Sequence, residues 1–157
     1  MKTKIILRDA VREDCEIVLD LIRELAIFEK AENEVELTVN QLEEDAFGAN
    51  PIVEIRVAEV DGEIVGASLI YEKYSTWKGR SVHLEDLIVR ESHRGMGIGT
   101  LLFNQIVNLS KERGYGRMEW QVLDWNKPAI TFYEKYNTTF LYDWLDCRLT
   151  SDDIKKL

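Results

Sequence analysis

The stretch from Arg94 to Thr100, with the sequence RGMGIGT, carries the clearest chemical signal in the chain. An extended apolar run, residues 82–89, precedes it, and a helical pattern with apolar residues on one face follows it. A strand, a glycine-rich turn and a helix N-terminus together form an anion site, because backbone N–H groups converge there and the helix dipole favours negative charge. Glycine also leaves no Cβ atom to block close approach. The pattern therefore predicts a phosphate or diphosphate ligand at residues 94–100.

The spacing of the glycines restricts which ligand this turn could hold. No Lys-Ser/Thr pair follows them, which excludes the nucleotide-triphosphatase loop G-x-x-x-x-G-K-[ST]. Glycines at positions 95, 97 and 99 also miss the dinucleotide spacing G-x-G-x-x-G, and the turn lies well past the opening of the chain. The alternative is a tight strand–helix connection that binds nothing, although such a connection seldom needs three glycines.

Length and composition indicate one ordinary globular domain, residues 1–157. The sequence has no apolar run approaching the roughly 20 residues of a membrane span, and its first residues lack the apolar core of a signal peptide, so we expect a cytoplasmic protein. The net charge of −9 argues against a nucleic-acid partner. It is compatible with a cationic substrate, or with solubility alone. Cys15 and Cys147 show no metal-ligand spacing, and we predict no metal site.

Periodicity and turn signals predict the elements that must position the turn. The predicted order is β-α-α-β-β-β-α-β-α-β, an α/β (α+β) fold with a mixed sheet and helices on both faces. The predicted elements of the first part are a strand at 4–8, a helix at 12–30, a capping box at 38–41 before a short helix, and a hairpin at 61–62. After the hairpin we predict a strand to 89, a helix at 98–113, a strand at 118–123, a helix at 126–136 and one or two closing strands in 140–149.

With these elements in place, the chain resembles the GCN5-related N-acetyltransferase (GNAT) superfamily. The resemblance rests on the R-x-x-G-x-G pattern of residues 94–99, on Leu84-Glu85-Asp86 and on Trp125-Asn126 with Phe132-Tyr133, and it runs from about Arg8 to Tyr136. More narrowly, the chain resembles the diamine (spermidine/spermine) and thialysine N-acetyltransferase branch. The family implies a three-layer αβα domain with a splayed central sheet, acetyl-CoA as cosubstrate, and a homodimer with acceptor clefts near the subunit boundary.

The resemblance also assigns residues to the coenzyme. The main chain of the strand before the turn would pair with the pantetheine amides as an added strand, and the turn would hold the diphosphate. Arg94 would either touch phosphate or brace the turn, and Asn126 would cap its helix, with or without a coenzyme contact. The predicted coenzyme-binding residues are Leu87, Ile88, Val89, Arg94, Gly95, Met96, Gly97, Ile98, Gly99, Thr100 and Asn126.

Acetyl transfer to an amine predicts two proton-handling side chains. An ordinary lysine-like amine has a pKa of about 10.4 and must lose a proton before it attacks, while the departing thiolate is helped by receiving one. In the family a tyrosine at the position of Tyr133 lies near the coenzyme sulfur and would be the general acid; its alternative role is core packing. Glu85 interrupts a strand expected to be buried, and it is the predicted proton acceptor or amine anchor; its alternative is a structural ion pair. Asp86 should point to the opposite face unless the strand bulges, as it does in the family.

The acceptor site is predicted at Phe28, Glu29, Trp77 and Glu85. Polyamine-acetylating relatives carry an acidic residue at the position of Ser75, so the serine here favours a thialysine-like acceptor over spermidine. The leading hypothesis is an acetyl-CoA-dependent N-acetyltransferase acting directly on the primary amine of a diamine, polyamine or lysine-like amino acid. The alternatives are a protein N-terminus, a lysine side chain or an aminoglycoside as acceptor, and a non-catalytic acyl-CoA-binding module. No nucleic-acid or membrane partner is expected.

Overall fold

The computed structural model describes residues 3–157, so Met1 and Lys2, which belong to the predicted single domain, lie outside the described residues. The chain divides into two compact units, Met1–Gln121 and Val122–Leu157. The first unit contains the whole sheet and the glycine-rich turn, and the second contains Asn126 and Tyr133. The prediction of a single domain stays a prediction.

The first unit is built on a mixed five-stranded sheet in the order β1-β2-β3-β4-β5. Its strands are β1 (Ile5–Asp9), β2 (Glu54–Val60), β3 (Glu63–Ser75), β4 (Gly79–Val89) and β5 (Met118–Glu119). The first four strands pair antiparallel in sequence order, and β5 pairs parallel with β4. The hairpin predicted at Asp61-Gly62 is confirmed, since both residues have positive φ angles (51° and 83°), as a two-residue type I′ turn requires.

Three helices of this unit cover the two faces of the sheet. They are α1 (Cys15–Phe28), α2 (Val39–Phe47), which begins at the predicted capping box of Thr38 and Gln41, and α3 (Ile98–Glu112). Side chains of α1 and α2 pack with Val57 and Ile88 in one core cluster, whereas Ile98 and Leu102 of α3 pack with Val65 and others in a second. The predicted three-layer arrangement is therefore confirmed, because strand alternation sends neighbouring residues into opposite cores.

Strand β4 leaves the regular ladder at two places that matter for a site. It pairs with β5 only at Val82–Met118 and His83–Glu119, so among the described strands its edge from Leu84 onward has no partner. Its register with β3 also shifts, because Leu69 pairs with Asp86 and Ile70 with Leu84, which leaves Glu85 as an extra residue. The splayed sheet and the bulge implied by the family resemblance are both present.

The second unit differs from the sequence prediction. Its helices are α4 (Lys127–Glu134) and α5 (Ser151–Lys155). The strand predicted at 118–123, which would have continued into this unit, is reduced to the two residues of β5 in the first unit. The closing strands predicted in 140–149 were wrong, because this segment of the described chain contains no strand. Its apolar side chains are exposed, including Tyr142, Trp144 and Leu145, and Leu145 is 85% exposed. The apolar residues of this segment resemble a strand in sequence, but a strand also needs a partner to pair with, which a local pattern does not encode.

Candidate active site

The glycine-rich turn presents an unsatisfied helix N-terminus. Gly97 is the N-cap of α3 with φ of 82°, and no side chain caps it. The first backbone bond of the helix runs from the N–H of Leu101 to the carbonyl of Gly97, at 3.0 Å, which leaves the N–H groups of residues 98–100 without an acceptor inside the helix. Gly95 has φ of 78°, and a Cβ atom at either glycine would meet open space. Glycine is required there by backbone conformation rather than by crowding, and the three N–H groups can accept an anion.

The open edge of β4 offers main-chain groups beside this turn. The N–H of Arg90 donates to the carbonyl of Val65 at 2.8 Å, and Val89 pairs with Gly66. This pattern makes Val89 and Gly66 a non-hydrogen-bonded pair, so the N–H and C=O of Val89 point away from β3. By the same alternation those of Leu87 point away, whereas those of Ile88 point toward β3. Two of the three predicted residues, Leu87 and Val89, are thus placed for an added strand, and the main chain of Ile88 is committed to the sheet.

Arg94 braces the turn in this structure. Its Nε donates to the carbonyl of Val89 at 3.3 Å, and its guanidinium carbon lies 5.3 Å from the ring centroid of Phe28 at the end of α1. Of the two alternatives left open by the sequence, bracing the turn is the one that these contacts show. Phe28, predicted at the acceptor site, contacts the residue that begins the phosphate turn.

The bulge separates the surroundings of two adjacent carboxylates. Glu85 was expected to be buried, but its side chain is 58% exposed and its Oε2 lies 3.3 Å from Nε2 of His83. Asp86 instead lies against α1, where burial first, and then the negative charges of Glu85 and Glu29, raise its pKa to about 7. The buried, perturbed carboxylate that sequence reasoning sought is therefore Asp86. The sequence contained one signal for this assignment, the bulge implied by the family resemblance, because alternation alone cannot assign the faces of a strand across a bulge.

Asp86 lines a small acidic pocket beneath the end of α1. The pocket has a volume of about 160 Å³ and is lined by Ile22, Leu25, Ala26, Glu29, Ala31, Glu34, Val35 and Asp86. Burial raises the pKa of Glu29 as well. Two carboxyl groups with raised pKa values, in a pocket whose other lining residues are apolar except for Glu34, favour a bound cation, because a positive charge would offset both the desolvation and the mutual repulsion.

Trp77 lies far from this pocket along the same strand. It belongs to the β3–β4 turn, is 73% exposed, and has the guanidinium of Arg117 at 5.6 Å from its ring centroid. Ser75 shapes this turn by accepting hydrogen bonds from the N–H groups of Trp77 and Lys78. Gly79 and Asp86 are separated by about 23 Å of strand, at roughly 3.3 Å per residue. Trp77 therefore does not share the acidic pocket of its own chain, contrary to the single acceptor site expected from the sequence.

The second unit places its predicted residues on one short helix. Asn126 caps α4 through its side-chain oxygen, which accepts from the N–H of Ala129 at 3.3 Å, so the predicted capping role is confirmed. Tyr133 is buried, with its ring at 5.3 Å from that of Phe132 in an edge-to-face arrangement. The carbonyl of Tyr133 accepts a hydrogen bond from Thr138 at 2.7 Å, which ties the residue to the chain that follows the helix.

Comparison with known proteins identifies the family. The model of the acetyltransferase (GNAT) family matches residues 18–137, which include most of α1, the glycine-rich turn and Tyr133. The chain belongs to the acetyltransferase (GNAT) family. It is an enzyme of the N-acetyltransferase class, since its relatives carry that name.

The relatives agree with the narrower resemblance. The chain is 36% identical to thialysine N-epsilon-acetyltransferase of Mus musculus, covering 96% of this chain and 95% of that protein. It is also 36% identical to the enzyme of the same name from Caenorhabditis elegans, over 92% of this chain and 91% of that protein. An aminoglycoside acetyltransferase from an uncultured soil metagenomic sample superposes with a TM-score of 0.76 at 19% identity, covering 93% of this chain and 95% of that one. At that identity the structural likeness shows the GNAT fold alone.

Neither a metal-binding cluster nor a membrane-spanning helix is present among the described residues. Among residues 3–157, no group of three or more His, Cys, Asp or Glu side chains is arranged to hold a metal ion. None of the helices described here is long and apolar enough to cross a membrane.

Proposed function

We propose that this GNAT enzyme transfers an acetyl group from acetyl-CoA to the primary amine of a small, thialysine-like or diamine acceptor. The observation that carries the proposal is the pairing of an uncapped, glycine-lined helix N-terminus with an acidic pocket at Asp86, on the strand that leads into the turn. The first suits a diphosphate, and the second suits an ammonium group.

The coenzyme would be held largely by main-chain groups. The N–H groups of residues 98–100 suit the diphosphate, with Gly95, Met96 and Gly97 shaping the turn that brings them together. The outward main chain of Leu87 and Val89 suits the pantetheine amides. Acetyl-CoA would supply a thioester carbonyl for direct attack by the acceptor nitrogen.

The acidic pocket would bind the acceptor by its charge. We assign Asp86 and Glu29 to anchoring an ammonium group, because a cation lowers the cost of ionising both carboxyl groups inside the pocket. The pocket's apolar wall, which includes Ile22 and Leu25, suits the methylene chain between two amino groups.

Proton transfer is assigned to two other side chains. Glu85 is more exposed than Asp86 and can pass a proton from the reacting amine to solvent, directly or through water. Tyr133 is assigned as the acid that protonates the leaving thiolate, an assignment that rests on the family pattern around residues 125–133.

A homodimer would account for Trp77. Because Trp77 lies at the opposite end of β4 from the acidic pocket, it reaches an acceptor only if a second copy brings its β3–β4 turn to that pocket. We propose such a dimer, and a cytoplasmic location in which Cys147, exposed and unbridged, remains a thiol.

Thiol release from acetyl-CoA tests the reaction across an acceptor panel. The panel contains thialysine, lysine, ornithine, 1,3-diaminopropane, spermidine, an aminoglycoside and a peptide with a free N-terminus. We expect the highest kcat/KM for thialysine or another small amine with a second charged group. Preference for the peptide or the aminoglycoside would show that the proposed acceptor class is wrong. Coenzyme binding without thiol release for any acceptor would favour a non-catalytic binding module.

Tyr133→Phe separates catalysis from binding in the same assay. The variant keeps the ring that packs on Phe132 but loses the hydroxyl. Turnover should fall on the order of 100-fold with unchanged coenzyme affinity, since general acid catalysis contributes roughly that much. Unchanged turnover would remove the proposed role from Tyr133.

A further inference from the structure

His83 lies beside the carboxylate of Glu85, two residues before it on β4. Its Nε2 atom is 3.3 Å from Oε2 of Glu85, and the side chains of His83 and Glu85 are 12% and 58% exposed. This distance is that of an ion pair and is slightly longer than a usual N–H···O hydrogen bond. Because the glutamate side chain is exposed, its rotation can shorten the distance. The histidine is therefore the fixed partner of the pair, and the glutamate is the adjustable one.

The sheet holds His83 from both sides. His83 pairs with Tyr71 of β3 and with Glu119 of β5, and among the described residues the pair with Glu119 is the last one before the edge of β4 opens. The ring of His83 also packs against that of Tyr71, with the ring centroids 4.9 Å apart and the planes tilted by 34°. The imidazole is therefore fixed at the point where the sheet splays.

The surroundings of the ring favour one neutral tautomer. A neutral imidazole carries its hydrogen on Nδ1 or on Nε2. Nδ1 of His83 is buried and has no hydrogen-bond partner among the described residues, so a hydrogen there would be an unsatisfied buried donor. That tautomer would also turn the lone pair of Nε2 toward the Glu85 carboxylate, which repels it. A hydrogen on Nε2 instead faces Oε2 of Glu85, and Nε2 is then a hydrogen-bond donor.

We infer that His83 is a positioning residue for Glu85: it donates from Nε2 to Oε2 and holds the carboxylate in the orientation that accepts a proton. This inference rests on the proposed function, in which Glu85 takes the proton of the reacting amine. The acceptor ammonium gives its proton to the carboxylate, which becomes a carboxylic acid and then releases the proton to solvent, while His83 neither gains nor loses one. Fixing an exposed side chain beforehand reduces the freedom that it must lose in the transition state.

Two amide substitutions separate this role from proton relay by the ring. The amide nitrogen of glutamine can occupy the position of the histidine Nε2, whereas the amide of the shorter asparagine reaches only the position of Nδ1. His83→Gln therefore keeps a donor for Glu85, and His83→Asn loses it. We expect His83→Asn to lower kcat about tenfold or more, since one hydrogen bond to a charged group is lost. His83→Gln should recover most of this loss, with similar acceptor KM and CoA affinity in both variants.

A double-mutant cycle with Glu85→Gln shows whether His83 acts through Glu85. Without the carboxylate there is no proton acceptor to position, so His83→Asn should cause no further loss of kcat in the Glu85→Gln background. Equal losses in the two backgrounds would overturn the inference, because they would indicate a packing role. An equal loss in His83→Gln and His83→Asn would also overturn it, since the ring itself would then be required.

Nitrogen-15 NMR of the histidine rings tests the tautomer in the unaltered protein. The chain has two histidines, and His93→Gln removes the signals of the other one. At a pH where neutral imidazole predominates, we expect a hydrogen on Nε2 of His83 and none on Nδ1.

The outcomes distinguish this inference from the proposed function. A hydrogen on Nδ1 of His83 would overturn the inference and leave the proposed function intact. Full kcat in Glu85→Gln would overturn the inference together with the assignment of Glu85 as proton acceptor. Absence of thiol release from acetyl-CoA with every acceptor would overturn the proposed function as well.

Discussion

Asp86 and Glu85 are neighbours in sequence whose different surroundings could not be assigned from the sequence alone. The pair was recognisable as an interruption of an apolar strand, and the glycine-rich turn was recognisable from residue types and spacing. What decides the roles is the bulge, because an extra residue at Glu85 reverses the faces that simple alternation assigns. The distance of Trp77 from the pocket was equally hidden, since family likeness does not show which chain a side chain reaches.

Isosteric substitutions at the two carboxylates should separate binding from catalysis. Asp86→Asn removes an anchoring charge and should raise the acceptor KM about tenfold or more, whereas Glu85→Gln should mainly lower kcat. In the wild-type enzyme the acceptor KM should fall as pH rises through about 7, because Asp86 ionises there, and Asp86→Asn should lack this dependence. Steady-state kinetics from pH 6 to 8.5 measure both effects. A loss of kcat in Asp86→Asn with unchanged KM would instead make Asp86 the proton acceptor.

Asp86 should also make stability depend on pH. Its pKa is raised in the folded chain, so the folded state binds its proton more tightly than the unfolded state, and folding loses stability as pH rises from about 4 through about 7. Asp86→Asn removes this loss and should be more stable than the wild type at pH 8, by up to about 4 kcal/mol. Denaturant unfolding at pH 5 and 8 gives the comparison. A variant advantage that does not grow between these two pH values would contradict the buried, perturbed carboxylate.

At the scale of helices and strands, the features correctly predicted from the sequence are those that depend on interactions between residues close together in the chain. The capping box at Thr38, the hairpin at Asp61-Gly62 and the Asn126 cap each depend on side-chain and backbone chemistry within a few residues, and each is present. The segment 140–149 has apolar residues without a partner strand, and strand formation depends on long-range pairing that no local pattern encodes. β5 is short for the same reason, since only Met118 and Glu119 of the strand predicted at 118–123 pair with β4.

The end of α1 offers a stability prediction at this scale. Lys30 occupies the left-handed position of a Schellman motif, where glycine avoids a backbone cost of about 1–2 kcal/mol that exceeds glycine's own entropic penalty. Lys30→Gly should therefore raise the free energy of unfolding by about 0.5–1 kcal/mol. Lys30→Ala is the matched control, because it removes the same side chain but keeps the backbone cost. Equal stabilities of the two variants would mean that the motif stores no such strain.

The whole molecule has a net charge of −9, which suits attraction of a cationic amine, although solubility alone would also account for it. The sequence and the family resemblance were sufficient to predict the three-layer fold, because the periodic spacing of apolar residues specifies which faces of the helices and strands are buried. The acceptor and the assembly depend on surfaces that those patterns do not describe.

The proposed dimer gives the prediction at this scale. Sedimentation equilibrium at neutral pH should give twice the mass of the chain at micromolar concentrations. In a dimer that carries Trp77 to the partner's pocket, Trp77→Ala should raise the acceptor KM, while Tyr74→Ala, at an equally exposed position of the same hairpin, provides the control. A monomer with full activity would contradict the proposal that Trp77 of a second copy contributes to the acceptor site.

The most direct test of the account is the affinity of the folded chain for CoA, compared between two matched glycine variants. Gly97 and Gly62 have nearly the same φ, 82° and 83°, and alanine at either meets open space, so the two substitutions impose the same backbone strain. Only Gly97 begins α3 at the proposed diphosphate site. By titration calorimetry the wild type and Gly62→Ala should bind CoA alike, and Gly97→Ala should bind it about tenfold more weakly or worse, since hydrogen bonds to a charged group contribute roughly 1.5–3 kcal/mol each. Equal binding by all three proteins, or no binding by the wild type, would contradict the account.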